Sequence, residues 1–186
     1  MRRMKHSVSL AVALLAIVAL AGCSWGGSKG SSQGLIKWSA TATEVEGPGV
    51  GQRAPNFRLK TSSGAEIELA SLAGRPIVVN FFATWCANCR EEMATLQGAS
   101  MSSAPVSVVG VDLRESASAV NQLAADAGVT YPLALDADGS VTRAYRATSL
   151  PVTYVLDGAG IVREIVRGPI DAEKLASAIA AAGTTS

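Results

Sequence analysis

The chain is 186 residues long, 48% hydrophobic and 17% charged, with 16 basic and 15 acidic side chains. That is enough for one domain plus extensions, and apolar enough for a packed globular core. Setting aside Arg2, Arg3 and Lys5 at the start leaves 13 basic against 15 acidic side chains, so charge makes no case for a nucleic-acid partner.

Residues 1–22 read as a targeting segment, with a basic start and an apolar run from Leu10 to Ala21. The run is too short to span a bilayer, which takes about 20 residues, and suits the core of a signal peptide. Its end, Leu20-Ala21-Gly22-Cys23, resembles the bacterial lipoprotein box, which implies a diacylglyceryl group on Cys23 as the first mature residue. Two acyl chains suffice for stable anchoring. The alternative is a plain secretory signal with an incidental cysteine. Three cysteines are an odd number, and lipidation of Cys23 would leave one pair. Residues 23–51 then form a tether, Gly/Ser-rich over 24–32 and broken again at Gly47-Pro48-Gly49-Val50-Gly51. Treated as a random coil, a tether of about 28 residues reaches roughly 30 Å.

The folded domain is expected over 52–186. Gln52–Leu59 reads as an entry strand, and Ser62-Ser63-Gly64 as a turn into the alternating Glu66–Leu69, giving a hairpin. A short helical turn follows at 71–74. Pro76–Phe82 is an apolar strand, Cys86–Gln97 a helix, and Val106–Asp112 a β-branched strand. Ser116–Ala127 is a helix closed by Gly128, Tyr131–Leu135 a short strand, and 139–145 one short helix. Val152–Leu156 and Gly160–Val166 form a second hairpin, and Asp171 caps a last helix over 171–181. The order predicts an α/β fold: a mixed central sheet with helices on both faces and an N-terminal β-hairpin extension.

The chemistry concentrates in Trp85-Cys86-Ala87-Asn88-Cys89-Arg90, where a buried strand gives way to a helix. Two cysteines at this spacing sit on the first helical turn, where free backbone N–H groups and the helix dipole stabilise a thiolate. Cys86 is then the attacking thiol and Cys89, one turn deeper, the resolving one. A zinc site would need two further ligands, and the only other cysteine and histidine are Cys23 and His6.

With Asn80 in the strand before and Glu92 three residues after Cys89, this stretch resembles the thioredoxin superfamily, most closely its membrane-anchored TlpA/ResA-like branch. The resemblance runs from about Gly51 to the last helix and implies a thioredoxin-like fold. It implies a thiol–disulfide oxidoreductase with no cofactor beyond the Cys86–Cys89 couple. It also implies a cis proline facing the pair, matched by Pro151 in Ser149-Leu150-Pro151-Val152-Thr153, with Leu150 and Trp85 contacting substrate. Asn80 stands where thioredoxins carry a buried acid and cannot take a proton. Glu92 lies on the Cys89 face of the helix by its i+3 spacing, so it is a candidate proton-handling group, the alternative being a surface carboxylate that complements the dipole. Ala94 stands where many relatives have the proline that kinks this helix.

The implied protein is a lipid-anchored monomer on the outer side of the cell membrane. It would act on thiols and disulfides of envelope proteins and be re-reduced by a membrane electron-donor protein. The branch favours a reductant, with cytochrome c maturation as a candidate process. A disulfide-forming oxidase is the close alternative, since proteins of this fold span about −120 to −270 mV. A peroxiredoxin-like peroxidase is a further alternative, as the domain entry resembles that class, but Thr84 precedes Cys86 with no proline. A copper-binding module would want a histidine that the expected mature chain lacks.

Overall fold

A computed structural model describes residues 47–184, so the targeting segment, Cys23 and most of the tether lie outside the described residues. Seven strands, four helices and one 3₁₀ turn follow in the order β1 (Arg58–Lys60), β2 (Glu66–Glu68), the turn (Leu69–Leu72), β3 (Ile77–Phe82), α1 (Ala87–Ser100), β4 (Ser107–Leu113), α2 (Ala117–Ala127), β5 (Leu133–Asp136), α3 (Ser140–Ala144), β6 (Val152–Leu156), β7 (Val162–Arg167) and α4 (Ala172–Gly183). The central sheet has the order β5-β4-β3-β6-β7. β3, β4 and β5 run parallel, while β6 is antiparallel to β3 and to β7.

β3 lies at the centre and is buried along its whole length. Its alternation divides the core. Val78 and Phe82 face a cluster with Met93 and Leu96 of α1, Val120 and Leu123 of α2, and Leu175 and Ile179 of α4. Ile77, Val79 and Phe81 face the other side, with Phe57, Ile67, Tyr145 and Tyr154. Each such fully buried side chain contributes about 1.5–3 kcal/mol. The three long helices therefore share one face, and the second face is covered by α3 and the hairpin. The reason is handedness: β3 to β4 and β4 to β5 step the same way across the sheet, and right-handed crossovers place both helices on the same side.

The N-terminal extension covers both edges of the sheet. Thr61 bridges Ala134 and Ser62 N–H donates to the Leu133 carbonyl at 2.8 Å, along β5. Gly51 and Val162 bond through Gly51 N–H at 2.8 Å, and Arg53 bridges Ile161 beside β7. Two strand edges that would otherwise offer free backbone groups are thus occupied.

Element ends follow their caps. Ser116 and Asp171 accept from Ala119 N–H and Lys174 N–H, and Gly128 closes α2 with φ 65°. α1 runs past the expected stop near Gln97, through Gly98 to Ser100. β5 starts two residues later than expected, after Pro132.

Candidate active site

Thr84 and Trp85 carry the chain from the end of β3 to Cys86, the N-cap of α1. The Cys86 backbone is extended, and its Sγ accepts from Cys89 N–H at 3.2 Å. That donor is one of the helix's unpaired N–H groups, so whatever charge Cys86 carries when reduced meets the positive end of the helix. The two cysteines are joined as a disulfide, with Cα atoms 5.2 Å apart. Cys86 is 8% exposed and Cys89 fully buried. Trp85 is 69% exposed, which rules out core packing as its role.

The Leu150–Pro151 bond is cis. Val152 pairs with Phe81, so Pro151 lies level with the end of β3, at the same end of the sheet as the cysteines. Leu150 packs against the cluster that holds both sulfurs.

Beneath the pair is a buried polar group. Asn80 points to the helix face from mid-β3, between its register partners Gly110 and Thr153. A side chain at Gly110 would meet Leu133 Cδ2 at 2.7 Å and Phe82 Cε1 at 3.0 Å, so glycine is what lets these two side chains close over the strand here. Asn80 Nδ2 donates to Glu92 Oε1 at 2.7 Å and lies 3.0 Å from Thr153 Oγ1. The Ile170 N–H donates to Glu92 Oε2 at 2.9 Å. Glu92 is only 3% exposed. Burial raises its carboxyl to about 7, against the lowering pull of the Ile170 and Asn80 donors. A shallow surface cavity of about 320 Å³, lined by Glu91, Glu92, Thr95, Pro169, Ile170 and Asp171, gives a path toward solvent. Tyr131 is also buried here with its hydroxyl unpartnered, and burial, with the Glu92 charge second, pushes its phenol above the usual range.

Sequence reasoning did not assign partners to Asn80 and Glu92: Thr153 reads only as part of the proline segment, and no local signal marks Ile170. Among the described residues, no group of three or more His, Cys, Asp or Glu side chains is placed to hold a metal ion.

A thioredoxin-like sheet that sets a Cys-x-x-Cys disulfide at a helix N-terminus, level with a cis proline, defines a thiol–disulfide oxidoreductase. The chain belongs to the AhpC/TSA family, whose family model matches residues 50–165. It is 34% identical over 137 residues to the thiol-disulfide oxidoreductase ResA of Bacillus subtilis, covering 73% of this chain and 76% of that one. It is 33% identical over 129 residues to the thioredoxin-like protein YneN of the same organism, covering 67% and 75%. Among solved structures, it resembles a thiol:disulfide interchange protein of the thioredoxin family from Chlorobium tepidum, with a TM-score of 0.63, 28% identity and coverage of 70% and 94%. A secreted Mycobacterium tuberculosis disulfide oxidoreductase homologous to DsbE matches with a TM-score of 0.62, 26% identity and coverage of 67% and 95%.

Proposed function

We propose that the protein reduces disulfides of extracytoplasmic proteins, held to the membrane by a lipid on Cys23 and re-reduced there by a membrane electron-donor protein. The observation that carries the exchange chemistry is the asymmetry of the couple: Cys86 at the helix N-cap, Cys89 fully buried behind it. In the reduced protein the Cys86 thiolate attacks one sulfur of a substrate disulfide. A mixed disulfide forms and the other substrate sulfur leaves as a thiolate that takes a proton. Cys89 then loses its proton and attacks Cys86 Sγ, releasing the substrate dithiol and leaving the Cys86–Cys89 disulfide. Glu92 accepts and returns the proton of the deeper thiol, since burial makes it a poor charge carrier and a good acid–base group near neutral pH. Trp85, Leu150 and Pro151 form the surface on which an extended substrate segment lies.

The reductant direction is supported by the likeness to ResA, and cytochrome c maturation is the process it suggests. The test is turnover of a scrambled or model disulfide together with the reduction potential of the couple. A potential near that of thioredoxin, about −270 mV, supports a reductant; one near about −120 mV makes it an oxidant. Cys23→Ala should leave the protein without acyl groups and shift it out of the membrane fraction; unchanged acylated protein there would end the anchor reading.

A further inference from the structure

A pair of acids apart from Glu92 lies at the redox end of the sheet, where β3 and β4 finish. Glu115 follows β4, and its Oε2 accepts from the Thr84 backbone N–H at 2.5 Å while Oε1 accepts from the Thr84 hydroxyl at 2.5 Å. Thr84 is two residues before Cys86, and the Cys86 N–H donates to the Ala83 carbonyl at 3.2 Å, so Ala83–Cys86 is one tight turn. Glu115 is its outside fastening. Behind Glu115, Asp112 is completely buried. Its Oδ2 accepts from the Glu115 N–H at 2.9 Å, and its Oδ1 has no partner.

The surroundings offer Asp112 no cation. The facing residue on β3 is Phe82, and on β5 Leu135. The charges that act on it are Glu115 and, from β5, Asp136, both acidic. Asp136 is already taken by Val141 N–H, Thr142 N–H and the Thr142 hydroxyl. Arg114, between the two acids in sequence, turns its guanidinium to the Asp138 carbonyl at 2.9 and 3.2 Å. Two bare carboxylates side by side in a buried site repel, and an orphaned buried oxygen is unfavourable. One proton resolves both.

We propose that Asp112 and Glu115 share one proton and act as a positioning pair for Cys86: Asp112 donates through Oδ1–H to the Glu115 carboxylate, which stays charged and fastens Thr84 and the turn that presents the sulfur. The balance of forces agrees. Burial, and then the hydrogen bond to Glu115, push Asp112 well above the carboxylate range. Burial opposes ionisation of Glu115 too, but the Thr84 hydroxyl and N–H outweigh it and hold Glu115 low. As pH rises past the Asp112 pKa the shared proton leaves, both groups are charged, and the fastening weakens. The pair thus limits activity from the alkaline side, independently of Glu92.

The proposal rests on the reading of Cys86 as the attacking thiol. Two measurements test it. Carbon-13 titration of the side-chain carboxyls should show Asp112 losing its proton far above Glu115; both titrating independently in the ordinary carboxylate range would overturn the pair. In disulfide-reduction kinetics, Asp112→Leu removes the donor and should lower the second-order rate about tenfold, since misplacement of reacting groups by about 1 Å is worth up to roughly 100-fold. Asp112→Asn, whose amide donates as the protonated acid does, should restore most of that rate and remove one step from the alkaline limb of the pH profile. An Asn variant as slow as the Leu variant, or with the wild-type profile intact, would overturn it. Should Asp112→Leu fail to fold, the Asn profile and the titration still decide. If instead Cys86→Ser keeps the wild-type rate, the thiol assignment fails, and the titration judges the pair alone.

Discussion

Two buried carboxylates, Asp157 and Glu92, show how one fold can hold one acid charged and leave another open to a proton. Asp157, in the β6–β7 turn, is 1% exposed. It accepts from Ala159 N–H and Ile161 N–H at 2.9 Å and pairs with the Arg163 guanidinium at 2.6 Å. Burial works against its charge, yet the Ile161 N–H, Arg163 and the Ala159 N–H hold it below the usual carboxylate range. Glu92 is as deeply buried but has only two donors, Asn80 and Ile170, and no cation; its carboxyl rises to about 7. An acid with a full set of donors and a counter-charge fixes a turn. An acid with fewer donors and no counter-charge has its carboxyl raised, and that acid is one helical turn on from Cys89.

The sharpest way to break this contrast is to remove the structural acid. Asp157→Ala leaves a half-buried Arg163 and two backbone donors without their partner, and should lower unfolding free energy by about 3 kcal/mol. The Cys86–Cys89 reduction potential should stay put. A potential that moved with the stability would mean the two acids are not separate in effect.

Glu92→Gln should do the reverse. Its folded pKa lies above its unfolded value of 4.5, so the stability it contributes is full below pH 4.5 and is lost as pH rises through about 7. By pH 8 that loss amounts to roughly 3 kcal/mol for a shift of this size. The glutamine variant should therefore be more stable than wild type at pH 8, and less so or equal at pH 4, by denaturant melts. Its exchange rate near neutral pH should fall by about 10- to 100-fold, with a changed pH profile. Glu91→Gln, on the exposed face of α1, should do neither. If both variants keep the wild-type profile, the proton passes elsewhere.

Trp85→Ala is the mildest expected change. The side chain is 69% exposed, so stability should move by less than about 0.5 kcal/mol. KM for a protein disulfide should rise while the reduction potential holds. An unchanged KM would remove Trp85 from the docking surface.

What the sequence could and could not disclose follows from where the contacts lie along the chain. The redox helix with its cap at Cys86, the caps of α2 and α4 at Ser116, Gly128 and Asp171, and the inward face that carries Glu92 are local: a few residues fix each. The partners of Glu92 are not. Ile170 is 78 residues away and Thr153 reaches Asn80 across 73, brought in by strand register that no local pattern encodes. The Thr84–Glu115 fastening depends in the same way on the parallel register that sets Phe82 opposite Asp112. The helix expected over Cys86–Gln97 runs on to Ser100, passing through Gly98 with nothing within 4 Å of the missing side chain. The shared face of the three long helices required the strand order, which comes only with the sheet.

The central claim is that Cys86 attacks and Cys89 resolves, and trapping the intermediate tests it most directly. Reduced Cys89→Ser protein mixed with a peptide carrying one disulfide should accumulate a covalent complex, and mass-spectrometric mapping should place the bond on Cys86. Reduced Cys86→Ser protein should trap nothing above background through Cys89, because that sulfur of the pair is buried at 0% exposure. Equal trapping through Cys89 would contradict the assignment of the two roles.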